Sequence, residues 1–171
     1  MGIIDTIYIS GKMTGLTKHD MDSWRSDLAD KIERELYIYA RIVNPVDYYN
    51  TIDSHTYDTD KEYVRWELRQ AKNCKVIVVG WNKEQDSLGT MAEITYAYAN
   101  NIPIILYLYD TDSNEVDFSD IHPFVSYMSD KIFCADEKAD LIKYIEKYIF
   151  LVWFRKGIIS SEKIYIIKYL V

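Results

Sequence analysis

Val76-Ile77-Val78-Val79-Gly80 decides the architecture. The run holds no polar side chain, is too short for a helix and does not alternate, so it reads as a strand buried on both faces. Outward from it, helical patterns cover Lys61 to Lys72 on one side and Gly89 to Asn100 on the other, and a second apolar run follows at Ile104 to Tyr109. Similar runs stand at Ile3 to Ile9 and Arg41 to Val43, with a weaker one near Ile132 and Phe133; further helical patterns cover Met21 to Leu36 and Glu137 to Phe154. Alternating β and α elements imply an α/β fold with a doubly wound parallel sheet, helices on both faces. Right-handed crossovers restrict the topology, and the expected form is flavodoxin-like, five strands in the order 2-1-3-4-5. A ligand crevice then opens between strands 1 and 3.

The chain of 171 residues is expected to form a single domain over 1–171, and its 49% hydrophobic content suffices for a buried core. A formal net charge of −7 argues against binding a nucleic acid polymer, which needs clustered Lys and Arg, but leaves room for one small anionic ligand. Cys74 and Cys134 have no metal-ligand spacing and read as thiols of a reducing, cytoplasmic compartment. No secretory signal is evident at the N-terminus, and the apolar run Tyr148 to Phe154 falls far short of the ~20 residues of a spanning helix, so no membrane association is expected. Met1 to Thr6 formally fits a myristoylation pattern, but the strand pattern at Ile7 to Ile9 takes precedence.

The loops bordering the expected crevice are Ser10 to Leu16 and Trp81 to Gly89; Asp47 to Asp60 and Asp110 to Asp130 read as long polar loops. After the second of the bordering loops comes Thr90-Met91-Ala92-Glu93-Ile94-Thr95-Tyr96-Ala97-Tyr98-Ala99, a helix with one charge. Such a helix is expected to be buried, and a lone carboxylate on it is costly unless paired or used, so Glu93 stands out. An arbitrary helical Glu faces solvent, but here Ser87 can cap the helix and Gly89 lets backbone approach a ligand, placing Glu93 just beyond an anion-binding turn. In the first loop, Ser10, Gly11, Lys12, Met13, Thr14 and Gly15 offer backbone N–H groups and hydroxyls that can cradle a phosphate or ribose; the plainer reading is a tight strand-to-helix turn.

Tyr8 ends the first strand, where its hydroxyl can orient Glu93 or simply pack. Glycosidic chemistry needs a second carboxyl for proton handling, and Glu67 and Asp86 compete for that role against surface pairing and loop placement. Asp110-Thr111-Asp112-Ser113-Asn114 starts like a calcium loop but lacks its glycine and its bidentate acid. His19, His55 and His122 are scattered, and no dinucleotide, Walker A or nucleophile-elbow motif occurs.

The stretch Tyr8 to Gly15, then Asn44-Pro45, then Trp81 followed by Asp86-Ser87-Leu88-Gly89-Thr90-Met91-Ala92-Glu93 resembles the nucleoside 2-deoxyribosyltransferase-like superfamily. It is closest to a bacterial and phage branch sharing the Tyr8 to Gly15 opening, and is also similar to deoxynucleoside 5′-monophosphate N-hydrolases. The resemblance covers roughly residues 3 to 109. It implies that Glu93 is the nucleophile, that Tyr8 orients it, and that Glu67, in place of an aspartate, assists with protons. Trp81, Ser87, Gly89 and Thr90 then belong to the substrate pocket with the first loop. Where the transferases carry an aspartate six residues before the nucleophile, this chain has Ser87, as the monophosphate hydrolases do. The hydrolases' arginine-bearing first loop is here Lys12-Met13-Thr14.

The expected activity is cleavage of a nucleotide's N-glycosidic bond through a glycosyl-enzyme, with no cofactor required. The rival readings are a transferase exchanging bases on free deoxynucleosides and a nucleotide sensor without chemistry. Members of the superfamily form homo-oligomers, and the aromatic tail Tyr144 to Phe154 is a candidate interface, unless it packs on the sheet.

Overall fold

A computed structural model of the protein describes residues 5–36, 40–49, 60–82 and 87–155. Five strands, β1 (Asp5–Ser10), β2 (Ala40–Val43), β3 (Val76–Trp81), β4 (Ile104–Leu108) and β5 (Lys131–Cys134), form one sheet of order β2-β1-β3-β4-β5 with every pairing parallel. This is the expected topology. Among the described residues, six α-helices accompany them: α1 (Lys18–Leu36), α2 (Pro45–Tyr49), α3 (Asp60–Asn73), α4 (Leu88–Ala99), α5 (Pro123–Met128) and α6 (Lys138–Arg155).

The side-chain period of two sorts β1 and β3 between two cores. Tyr8, Ile77, Val79 and Trp81 face Ala71, Ile94, Ala97 and Val125 of the α3–α4–α5 side. Ile7, Ile9, Val76 and Val78 face Trp24, Leu28, Leu141 and Ile145 of the α1–α6 side. Burial on both faces holds for the central strands β3 and β4. It does not hold at the edges, where β2 and β5 each keep exposed or half-buried positions, because an edge strand has helix cover over only part of its length.

Several expected boundaries move for local reasons. α1 starts at Lys18, before Met21, because the Thr17 hydroxyl caps it, accepting from the Asp20 N–H at 3.2 Å. Part of the segment expected as a loop from Asp47 is α2, where Asn44 Oδ1 accepts from the Val46 N–H at 3.2 Å and Pro45 opens the helix. The Asp110–Asp130 segment likewise holds a short 3₁₀ turn, Phe118–Asp120, and α5, which the exposed His122 caps through Nδ1. α4 is not buried all round: Thr90, Glu93, Ile94 and Ala97 face inward, while Leu88 is 92% exposed and Tyr96 and Tyr98 also reach solvent. The helix covers one face of the sheet with its inward stripe, and of its outer residues Tyr98 lies against the exposed Tyr127 ring at 6.2 Å. In the aromatic tail, Tyr144 packs edge-on to Phe133 and to Tyr148, against the sheet.

Among the described residues, no helix is long and apolar enough to cross a membrane, and no cluster of three or more His, Cys, Asp or Glu is placed to hold a metal. Both cysteines are free and buried.

Gly80 is required by a neighbour rather than by its own backbone. A Cβ there would stand 2.1 Å from the Trp24 indole, whose ring is stacked on Tyr109 at 4.8 Å and 3° and cannot retreat. Gly80→Ala is therefore expected to destabilise the fold by about 3 kcal/mol, the upper end for overpacking, as a lowered unfolding midpoint in urea; an unchanged midpoint would mean that the indole repacks freely.

Candidate active site

Glu93 lies on the inward stripe of α4 and is 6% exposed. Its helix begins at the N-cap Ser87, whose Oγ accepts from the Thr90 N–H at 3.3 Å and from Thr90 Oγ1 at 2.9 Å. With both acceptor positions filled, the Ser87 hydroxyl proton is left to point elsewhere. Thr90 is buried, and a Cβ at Gly89 would meet nothing within 4 Å, so open space lies over that turn.

β1 supplies the partners. Tyr8 and Ser10, both fully buried, stand two residues apart and so share one face of the strand. The Tyr8 hydroxyl donates to Glu93 Oε1 and the Ser10 hydroxyl to Oε2. One donor on each oxygen fixes the plane of the carboxylate and leaves each oxygen a further lone pair. The first loop, expected as a ligand cradle, thus commits Ser10 to Glu93. Beyond it, Gly11, Lys12 and Met13 are half-buried, Thr14 and Gly15 are exposed, Leu16 N–H closes a turn onto Met13 O at 3.1 Å, and Gly15 uses a positive φ of 81°.

Burial pushes the Glu93 carboxyl up to about 7, with the charge of Glu67 adding to the rise; the Ser10 and Tyr8 hydrogen bonds and the charge of Arg25 oppose it. Tyr8 is driven well above its ordinary value by burial and by Glu93, so it remains a donor. Glu67, on α3, is also raised by burial, against a hydrogen bond from Tyr63 and the charge of Arg25. Asp86 lies outside the described residues. Trp81 is 5% exposed, sits in the α4-side core with Tyr8 and Ile94, and lines a cleft with Leu108, Thr111, Glu115 and Ile121.

Sequence reasoning missed Arg25. It is fully buried on the α1 stripe of Met21, Trp24, Leu28, Ile32 and Leu36, and a cation at an apolar helical position was the available signal. Burial lowers its guanidinium to about 10, with Glu93 the largest opposing influence.

The buried Glu93 carboxyl, held by two hydroxyls, lies at the carboxyl end of β1 beside the topological switch point of a doubly wound sheet, the place where open α/β sheets bind ligands. Residues 5–111 match the family described as nucleoside 2-deoxyribosyltransferase like, and the chain belongs to that family of enzymes, which act on nucleoside substrates. Its fold is shared with a conserved protein from Enterococcus faecalis V583 (TM-score 0.66, 16% identity, 85% of this chain and 99% of that one). A 2-deoxyribosyltransferase from Bacillus psychrosaccharolyticus (0.58, 14%, 80% and 90%) is similar, as is the CMP N-glycosidase BcmB of Clostridium botulinum (0.52, 14%, 84% and 99%). No curated protein matches the chain by sequence.

The raised Glu93 value carries a stability consequence. Relative to its ordinary value of 4.5, the folded chain holds this proton more tightly. The associated stability is fully present below pH 4.5 and is lost as pH rises through about 7. Glu93→Gln, which keeps the shape without the charge, should match the wild type near pH 5. At pH 8 it should exceed it by on the order of 2–3 kcal/mol in denaturant titrations. A gap independent of pH would show that Glu93 does not ionise in this window.

Proposed function

We propose that the protein cleaves the N-glycosidic bond of a (deoxy)nucleoside 5′-monophosphate, with Glu93 as nucleophile. The observation that carries this reading is the grip of Tyr8 and Ser10 on a buried carboxylate, which aims an anion without neutralising it. Glu93 attacks C1′; the bond from C1′ to the base nitrogen breaks, and the base nitrogen takes a proton. Glu67 suits that proton's delivery, since burial raises its carboxyl and so favours its protonated form. Water then attacks C1′, the ester to Glu93 breaks, and the water proton returns to the second acid, restoring both groups with retention at C1′.

The monophosphate preference rests on Ser87. Its hydroxyl stands at the N-terminus of α4, where the helix dipole and free N–H groups favour an anion, and the open space at Gly89 lets a phosphate approach. Lys12 of the first loop is the complementary cation in this reading. A glycosidase of cytidine monophosphate among the fold neighbours supports a phosphorylated substrate, and a 2-deoxyribosyltransferase among them keeps base exchange as the competing outcome.

Glu93→Ala is expected to abolish base release, read by chromatography of free base from a nucleotide panel, while circular dichroism remains native; undiminished turnover would remove Glu93 from the mechanism. Because the nucleophile must be ionised, kcat/KM should fall below about pH 7.

Replacing Ser87 by Asp should cut kcat/KM for the monophosphate more than tenfold while sparing the free nucleoside, the loss of about 1.5–3 kcal/mol expected for a charge-assisted hydrogen bond. If the free nucleoside is the better substrate of the wild type, or added base is converted to a new nucleoside, base exchange replaces hydrolysis as the activity.

A further inference from the structure

Among the described residues Arg25 is the largest fully buried side chain, and its charge has no partner of opposite sign within ion-pair distance. Its Nη1 donates to the Met21 carbonyl, its Nη2 to the Lys12 carbonyl at 3.3 Å, and its Cζ lies 4.5 Å from the centroid of the Trp24 ring. Nε has no hydrogen-bond partner. A guanidinium withdrawn from water and held only by carbonyls and a ring is expensive, so an anion is needed nearby.

The geometry shows where that anion is. A Cβ on Gly11 would stand 2.9 Å from Arg25 Nη2, so the guanidinium lies directly against the Gly11 turn. The residue before Gly11 is Ser10, whose hydroxyl is on Glu93; the residue after is Lys12, whose carbonyl is on Arg25. One three-residue turn therefore separates the buried cation from the buried carboxylate. The groups acting on Glu93 are Tyr8 and Ser10 from β1, Glu67 from α3 and Arg25 from α1, while the Cys74 thiol at the end of α3, raised by burial to about 12, stays neutral. Arg25 is the positive charge in this set, set against the negative charge of Glu67.

We propose that Arg25 is a positioning residue, the counter-charge of the Glu93 carboxylate across the Gly11 turn, which it pins by holding the Lys12 carbonyl. It touches no substrate; it acts through Glu93 and Ser10. Its benefit to catalysis rests on Glu93 being the nucleophile, but the electrostatic link does not. Without Arg25, Glu67 and Glu93 would place two acids in one buried site with no cation, and Glu93 would hold its proton to higher pH.

The test follows the Glu93 carboxyl carbon by ¹³C NMR, assigned by its loss in Glu93→Gln, as pH is varied in the wild type, Arg25→Gln and Arg25→Lys. Arg25→Gln should move the titration midpoint up by about one pH unit and carry the acid limb of kcat/KM with it, roughly a tenfold loss of activity on that limb. Arg25→Lys, which keeps the charge, should move neither by more than a few tenths of a unit. A purely structural role would lower the melting temperature of the variants without shifting the midpoint, and an unmoved midpoint in Arg25→Gln overturns the proposal. Should Arg25→Gln not fold, the wild type decides: a midpoint in the range of about 8–9, that of buried carboxyls lacking a counter-charge, overturns it, and a lower one supports it. A midpoint that shifts in a protein releasing no base from any nucleotide would sustain the link while removing the glycosidase reading.

Discussion

The grip of two strand hydroxyls on one helical carboxylate is the interaction around which the molecule is arranged. It requires Tyr8 and Ser10 to share a face of β1, which the strand period supplies, and it requires the Ile7 to Ser10 end of that central strand to be buried so that both donors are dry. It also requires α4 to cross the carboxyl end of that strand. The order β2-β1-β3-β4-β5 does this, because α4 follows β3, the neighbour of β1, and packs back over the same sheet face with α3 beside it. Moving Glu93 to the outer surface of α4 would relieve a desolvation cost and leave two buried hydroxyls without an acceptor.

The opposite face of the sheet serves the same site indirectly. Gly80 and Gly11 are bare so that the Trp24 indole can lie across β3 and against the first turn. That ring stacks on Tyr109, which accepts from Asn82 Nδ2 at 3.0 Å, and on its other flank carries the Arg25 guanidinium. Absent side chains on two strand ends thus make room for an aromatic floor, and the floor holds a charge in place below the turn that carries Ser10.

The topology was legible in the sequence because unbroken β-branched runs such as Val76 to Val79 occur where both sheet faces are covered, and the runs alternate with helical periods. Glu93 was legible because it is the one charge of its helix. The reason offered for its burial was only partly right: α4 is one-sided, and the apolar Leu88, Tyr96 and Tyr98 that made it look like a core helix face outward. Short elements such as α2 and α5 were hidden because capping by Asn44 and His122, not hydrophobic period, creates them. Ser10 was legible as a site residue, but which group it serves depends on χ1 and on the approach of α4, which no local pattern encodes. Arg25 was hidden for a related reason: on α1 it reads as one of many charges until the helical stripe is traced through Trp24 and Leu28.

The two acids of the proposed mechanism differ in their surroundings. Glu93 accepts from two hydroxyls, and both bonds favour its ionised form; Glu67 accepts from Tyr63, which favours its own. Burial raises both carboxyls, and the rise at Glu93, to about 7, includes the charge of Glu67. Attack on C1′ uses the ionised form of Glu93 and delivery of a proton to the departing base uses the protonated form of Glu67, and after the base has left, the deprotonated Glu67 is the group able to activate water. The cost is a fold that holds a carboxylate and a guanidinium out of water, and the surrounding hydroxyls, carbonyls and indole offset it without bringing the two charges into contact, which would tie up the oxygens that the reaction uses.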